Sequence, residues 1–226
     1  LHMKILVVAA HPDDEILGLG GTLARHVKSG DVVEILILAT GATSRIADDH
    51  DTVAALRQAA NAAANALGCM PPRFGKLPDN RLDSLDLLDV IKVVESVVSE
   101  VQPEVVYTHW PHDLNVDHEI TCRAVLTACR PLPGSAIRAI YAYETVSSSE
   151  WNFLGEARAF APNRFVDVAD TLEIKMRALQ CYSHEMRDFP HARSYEAIRA
   201  LAATRGAQSG LMAAEGFVLL REISKF

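Results

Sequence analysis

The chain has 226 residues, 49% of them apolar and 23% charged, the balance of an ordinary soluble globular protein with one substantial core. Its formal charge of −7 offers neither counterion release to a nucleic acid nor attraction to an anionic bilayer, so those partners are not expected. No apolar run approaches the ~18 residues of a membrane span.

The four cysteines, Cys69, Cys122, Cys129 and Cys181, form no C-x-x-C pair. Cys122 and Cys129 are two helical turns apart and read as buried packing residues. Leu1-His2-Met3 lacks the order of a signal peptide and reads as a vector remnant before an initiator Met3. A single domain over residues 3–226 in a reducing cytoplasm is the default expectation. Homo-oligomerisation stays open, because no exposed apolar stripe identifies an interface.

Taken in order, Ile5 to Ala10 is nearly continuous in apolar residues, which predicts a central strand covered on both faces. Ile16 to Lys28 follows as a helix, with Ile16, Leu19, Leu23 and Val27 on one stripe. Val32 to Ala39 is a second buried strand. Thr40 to Asp49 is a polar loop at its carboxyl end, holding Gly41, Ser44 and Arg45. A loop at that end of a parallel strand is where ligands bind in such sheets, and Arg45 is a candidate substrate contact, above all for a phosphate. Asp51 to Leu67 is an alanine-rich helix and Arg73 to Arg81 an extended piece with a turn at Leu77 to Asn80. A helix over Leu85 to Ser99 and a strand over Glu104 to Thr108 complete the first half.

In the second half, Glu119 to Ala128 is helical and Ala136 to Tyr143 extended. Ser147 to Pro162 has the least periodicity. Arg164 to Val168 is short and extended, and Asp170 to Tyr182 is a helix capped by Asp170 or Thr171. Tyr195 to Arg205 is a helix closed by Gly206, and Phe217 to Ile223 is a late strand or helix. Trp151, Phe153, Phe189 and Tyr195, each taken singly, read as core residues with the option of walling a pocket. The alternation of strands and helices predicts an α/β fold with a mostly parallel central sheet.

Chemistry concentrates at two strand exits. His11-Pro12-Asp13-Asp14-Glu15 follows the first strand, and ionisable groups crowded there are costly to bury unless something uses them. His11 and Asp14 are close enough to bind one ion once the chain turns at Pro12. His118 follows a later strand whose carboxyl end shares the same edge. Two histidines, a carboxylate and an open position make a normal catalytic zinc site. The competing reading has His11 and Asp14 hydrogen-bonded across the loop and His118 capping or packing its helix. Asp13 is a natural general base beside such a metal, acidified water being the proton donor; alternatively it caps the next helix. Glu15 reads as helix-start support. The glycines Gly18, Gly20 and Gly21 lie inside the helix, after the acids, which argues against a dinucleotide fingerprint.

His11-Pro12-Asp13-Asp14-Glu15, the segment Gly20-Gly21-Thr22 and the distant Asp117-His118 resemble the LmbE/PIG-L family of zinc-dependent N-deacetylases. The resemblance implies a three-layer Rossmann-like fold without a dinucleotide cofactor, and removal of acetyl groups from N-acetylglucosamine-type sugars or glycoconjugates. It implies that His11, Asp14 and His118 hold Zn2+, that Asp13 activates water, and that Asp117 orients a histidine ring, with His112 as an alternative partner. Arg57 and Asp79 resemble contacts to sugar hydroxyls; otherwise they are a helix-face ion pair and a turn former. One departure matters. Where several members have His-Pro-Asp-His, this chain has Asn115-Val116-Asp117-His118, and Asn115 cannot titrate, although its amide can donate to an oxyanion. Either His112, His184 or His191 then protonates the leaving amine, or zinc and Asp13 handle that step alone. A metal-dependent amidase for a non-sugar amide, or a noncatalytic metal-binding relative, stands as the alternative.

Overall fold

A computed structural model describes residues 2–39, 50–153, 155 and 158–224. The chain runs β1 (Lys4–Ala9), α1 (Asp14–Lys28), β2 (Val32–Ala39), α2 (His50–Leu67), β3 (Arg73–Leu77), α3 (Leu87–Val101), β4 (Val105–His109), α4 (Val116–Ala128), β5 (Ala139–Tyr143), β6 (Arg164–Asp167), α5 (Leu172–Cys181), α6 (Tyr195–Ser209) and β7 (Ala214–Glu222). They form one seven-stranded sheet in the order β3-β2-β1-β4-β5-β7-β6. The first five are mutually parallel, and β7 runs antiparallel to both β5 and β6.

Alternate residues of β1 feed two separate cores. Ile5, Val7 and Ala9 pack with residues of α1, α2 and α5, whereas Leu6 and Val8 pack with α3 and α4. That is why β1 is apolar at every position after Lys4. The result is the expected three-layer α/β arrangement. The chain leaves β1 in one direction along the sheet and returns to β4 on its other side, so the crevice between β1 and β4 is a topological switch point. Among the described residues no helix is long and apolar enough to cross a membrane.

Helix α1 is kinked. Leu19 has φ −147° and ψ 21°, and the Glu215 carboxylate from β7 accepts hydrogen bonds from the buried N–H groups of Gly21 (3.0 Å) and Thr22 (2.7 Å). Lys175 from α5 donates to the Leu17 carbonyl at 2.8 Å and to Glu215 at 2.7 Å. A buried ion pair thus satisfies both sides of the break. Close packing here also explains Gly18, where a Cβ would overlap the buried ring of Tyr143. Gly18→Ala is expected to cost about 1–3 kcal/mol as an overpacking change, read as a lower denaturation midpoint; an unchanged midpoint would show that the ring gives way freely.

Several expectations need correction. Gly206 does not end α6, which continues to Ser209 and is capped by Gly210 in the left-handed region (φ 73°). Gly206 instead lets the returning backbone at Leu211 and Ala213 pack against the helix. Thr171 precedes α5 but makes no side-chain cap; its hydroxyl donates to the Gly21 carbonyl. Phe153 and Phe189 are 87% and 66% exposed, not core. Burial pushes the thiols of Cys122 and Cys129 up to about 12, as expected of inert packing residues.

Candidate metal centre and its cavity

The carboxyl ends of β1 and β4 place the chemistry. Immediately after β1 the backbone turns through Asp13 at φ 101°, a costly conformation for a residue with a side chain. The turn is held by the Asp13 N–H donating to Glu15 Oε2 at 3.1 Å and by the Asp13 carbonyl accepting from Ile16 and Leu17. Glu15 is fully buried and also accepts from the Tyr182 hydroxyl at 2.7 Å. Burial, chiefly, raises its carboxyl to about 8. The Asp13 side chain makes no helix-capping bond. It accepts instead from Arg193 Nη1 at 2.7 Å.

His11, Asp14 and His118 converge. Each offers one ligand atom, and these atoms lie within 4.8 Å of one another. His11 Nε2 lies 3.0 Å from Asp117 Oδ2 and 3.4 Å from Asp79 Oδ1, which leaves Nδ1 facing Asp14 at 3.2 Å. His118 is arranged the other way round: Nδ1 lies 3.1 Å from Asp113, and Nε2 is 3.3 Å from Asp14. Asp14 Oδ1 and His118 Nε2 are buried without hydrogen-bond partners. Orphaned polar atoms on a nitrogen donor and an oxygen donor, with Asp113 behind the His118 ring and Asp117 behind the His11 ring, fit a divalent metal ion.

Electrostatics point the same way. Burial disfavours charge on His11, yet the carboxylates of Asp117, Asp14 and Asp79 raise it to about 10. Burial likewise opposes charge on His118, but Asp14 and Asp113 raise it to about 9. Against its own burial, Asp14 is held well below the usual carboxylate range by His118 and His109. A field that holds protons on ring nitrogens also favours a cation in their place. Burial is the largest influence on Asp13 and raises it to about 7, against the pull of Arg193.

The carboxylates behind the rings have their own support. Asp117 accepts from the Leu82 N–H at 3.0 Å. Asp113 accepts from the hydroxyls of Ser148 and Ser149. Removing either carboxylate, in Asp117→Ala or Asp113→Ala, is expected to weaken zinc binding by about 10–100-fold. Competition with a chelator of known affinity checks this, and wild-type affinity in both variants would remove these residues from the metal site.

The remaining residues singled out from sequence fall in three groups. Asp79, Asn115 and His184 line the cavity beside the cluster, whereas His191 does not and its ring packs edge-on against Trp151. Asn115 also caps α4: its Oδ1 accepts from the Asp117 N–H at 2.9 Å, and its Nδ2 donates to Asn80 at 3.2 Å. Arg57 and His112 are not among the residues lining the cavity. The Arg57 guanidinium lies over the Phe74 ring at 5.0 Å, and the His112 ring packs edge-on against Trp110. Gly41, Ser44 and Arg45 lie outside the described residues.

Three functional neighbours, Asp113 behind the His118 ring, Arg193 and His109, were given no role by sequence reasoning. Arg193 comes from an aperiodic turn far along the chain and carried no local signal. His109 did carry one, as the last residue of a buried strand. Its Nε2 accepts from the Ala10 N–H at 2.9 Å, leaving Nδ1–H to face Thr145 Oγ1 at 3.2 Å. Burial and the neighbouring His118 depress it to about 4, so the ring is neutral, and it stacks on His118 at 3.9 Å between centroids.

The cavity over this floor has a volume of about 870 Å³. An α/β sheet with a His/Asp/His cluster and a partnered carboxylate at its switch point defines a candidate metal-dependent hydrolase. The chain belongs to the PIG-L family: the model for GlcNAc-PI de-N-acetylase matches residues 6–129. Family members are N-deacetylases, that is, amide hydrolases. The uncharacterized deacetylase YaiS of Escherichia coli (strain K12) is 31% identical, over 78% of this chain and 88% of its own. The diacetylchitobiose deacetylase of Thermococcus kodakarensis is 26% identical over 94% and 81%. Among solved structures, GalB, the 4-carboxy-2-hydroxymuconate hydratase of Pseudomonas putida KT2440, superposes with a TM-score of 0.79 at 23% identity, covering 99% of this chain and 98% of that one. That likeness shows the fold alone, and the fold does not choose the chemistry.

Proposed function

We propose that the protein is a zinc-dependent hydrolase that removes the acetyl group from the nitrogen of an N-acetylglucosamine-type sugar or glycoconjugate, yielding an amine and acetate. The observation that carries this reading is the convergence of His11, Asp14 and His118 beside the partnered carboxylate of Asp13 on the floor of one cavity. The Thermococcus relative, named for diacetylchitobiose, and the family model, named for GlcNAc-PI, share the N-acetylglucosamine unit and differ in what it is attached to.

His11, Asp14 and His118 would hold the zinc, and the ion when bound supplies a Lewis acid that polarises the amide carbonyl and acidifies water. Asp117 and Asp113 orient the two rings from behind. Asp13 takes the proton of the attacking water; its backbone turn and the Arg193 guanidinium fix the direction in which its free oxygen points. The Asn115 amide is engaged at the start of α4 and His112 is turned to Trp110; Asp13, beside the cluster, is the group we assign to return the proton to the leaving nitrogen, with His184 the other candidate that lines the cavity. The C–N bond breaks as that nitrogen is protonated.

The test is acetate release from free, lipid-linked, nucleotide-linked and thiol-conjugated N-acetylglucosamine compounds by protein with one zinc per chain. Release from at least one, lost on chelation and restored by zinc, is the expected result. A zinc-loaded protein inert toward the whole panel would overturn the sugar-deacetylase reading.

A further inference from the structure

We propose that the cavity holds, next to the metal cluster, an apolar subsite for the uncharged aglycone of an amino-sugar conjugate. This rests on the deacetylase reading, which puts the N-acetyl group at the metal cluster.

Size is the first argument. A cavity of 870 Å³ is near the top of the range of roughly 300–1,000 Å³ that encloses a whole drug-sized ligand, so a single hexosamine leaves much of it empty. Surface chemistry is the second. The floor is polar, but α2 presents Ala55, Leu56 and Ala59 to the cavity, spaced to lie on one side of that helix. Leu114 and Trp151 line it from two further segments and are 55% and 40% exposed. Large apolar side chains facing solvent inside a cavity lose nothing by meeting an apolar ligand and gain the burial.

Charge is the third argument. Asp13, Asp79 and Glu185 line the cavity, and Arg193 is the one arginine or lysine among the described lining residues. Its guanidinium is already committed, donating to Asp13 and to Ser147 Oγ, both at 2.7 Å, with Glu185 at 3.7 Å. Among the described lining residues, a phosphate or carboxylate on the aglycone would meet acidic side chains and one guanidinium that already donates to Asp13 and Ser147. An uncharged apolar group meets no such penalty.

Calorimetry on zinc-loaded Asp13→Asn, slowed in turnover, should read the subsite through the dissociation constants of methyl and phenyl N-acetylglucosaminides, in both anomers, and of N-acetylglucosamine 1-phosphate. The phenyl glycoside is expected to bind about 10–100-fold more tightly than the methyl glycoside, and the 1-phosphate no more tightly than the methyl glycoside. Trp151→Ala, a change at a partly exposed position, should shrink the phenyl-to-methyl ratio in the same background. Equal binding of phenyl and methyl glycosides, or tighter binding of the 1-phosphate, overturns the subsite. Acetate release by the wild type keeps the two claims apart. Tight phenyl binding without release leaves the subsite standing and removes the deacetylase reading; release from both glycosides with equal kcat/KM does the reverse.

Discussion

Asp13→Asn should keep its fold and its zinc while acetate release falls by about 10²–10⁴-fold, the usual contribution of a positioned general base. The substitution is chosen on structural grounds. Among residues with a side chain, asparagine is one of the few enriched at positive φ, so the turn at Asp13 can persist. The amide preserves the shape and can still accept from Arg193 through its oxygen, but it cannot take a proton from water. Zinc content, thermal midpoint and single-turnover acetate release together check the prediction. Wild-type turnover in a zinc-replete variant would end the general-base assignment.

The second large effect is on stability. Glu215→Ala is expected to cost about 3–5 kcal/mol, because it strands the buried Lys175 ammonium without its counter-charge. It also leaves the N–H groups of Gly21 and Thr22 without an acceptor at the α1 kink. Replacing both partners, Lys175→Met with Glu215→Leu, removes the stranded charge and should recover part of the loss. Recovery stays incomplete because the two backbone donors remain orphaned. Urea denaturation of the two single variants and the double measures this coupling. A Glu215→Ala protein within about 0.5 kcal/mol of wild type, the usual range for surface changes, would show that water or a neighbour substitutes for the carboxylate.

The sheet was legible where a single strand decides its own environment. The apolar run of β1 reads as a strand covered on both faces and that of β2 as a second buried strand; β1 lies inside the sheet between β2 and β4 and feeds both cores. Element ends were less legible. Helix α4 begins at Val116, several residues before the periodicity suggested, because Asn115 caps it through its side chain. The crowd of ionisable residues after β1 was equally visible, since burying it needs a reason. Partnerships were not. Asp117 faces His11, whose position lies 106 residues away, and Glu215 reaches Gly21 across 194. Nothing in a local window specifies such pairings, which depend on how the layers close. Gly206 was misread for a related reason. A glycine near a helix end looks like a stop signal, but here the returning backbone at Leu211 and Ala213 requires it. Phe153 and Phe189 were misjudged because hydrophobicity alone does not tell a core residue from an exposed one.

The placement of β7 has a consequence for synthesis on the ribosome. This strand comes after all the others yet occupies an interior position, between β5 and β6, and it carries the carboxylate that closes the α1 kink. The candidate metal-binding motif after β1 is therefore translated early but gains its final support only when some two hundred further residues have emerged, a span of about 10–40 s at usual elongation rates. Until then β5 presents an unpaired edge, and β6, which pairs with β7 alone, has no strand partner. A nascent chain paused before Ala214 should be the species most prone to aggregation and most dependent on chaperones.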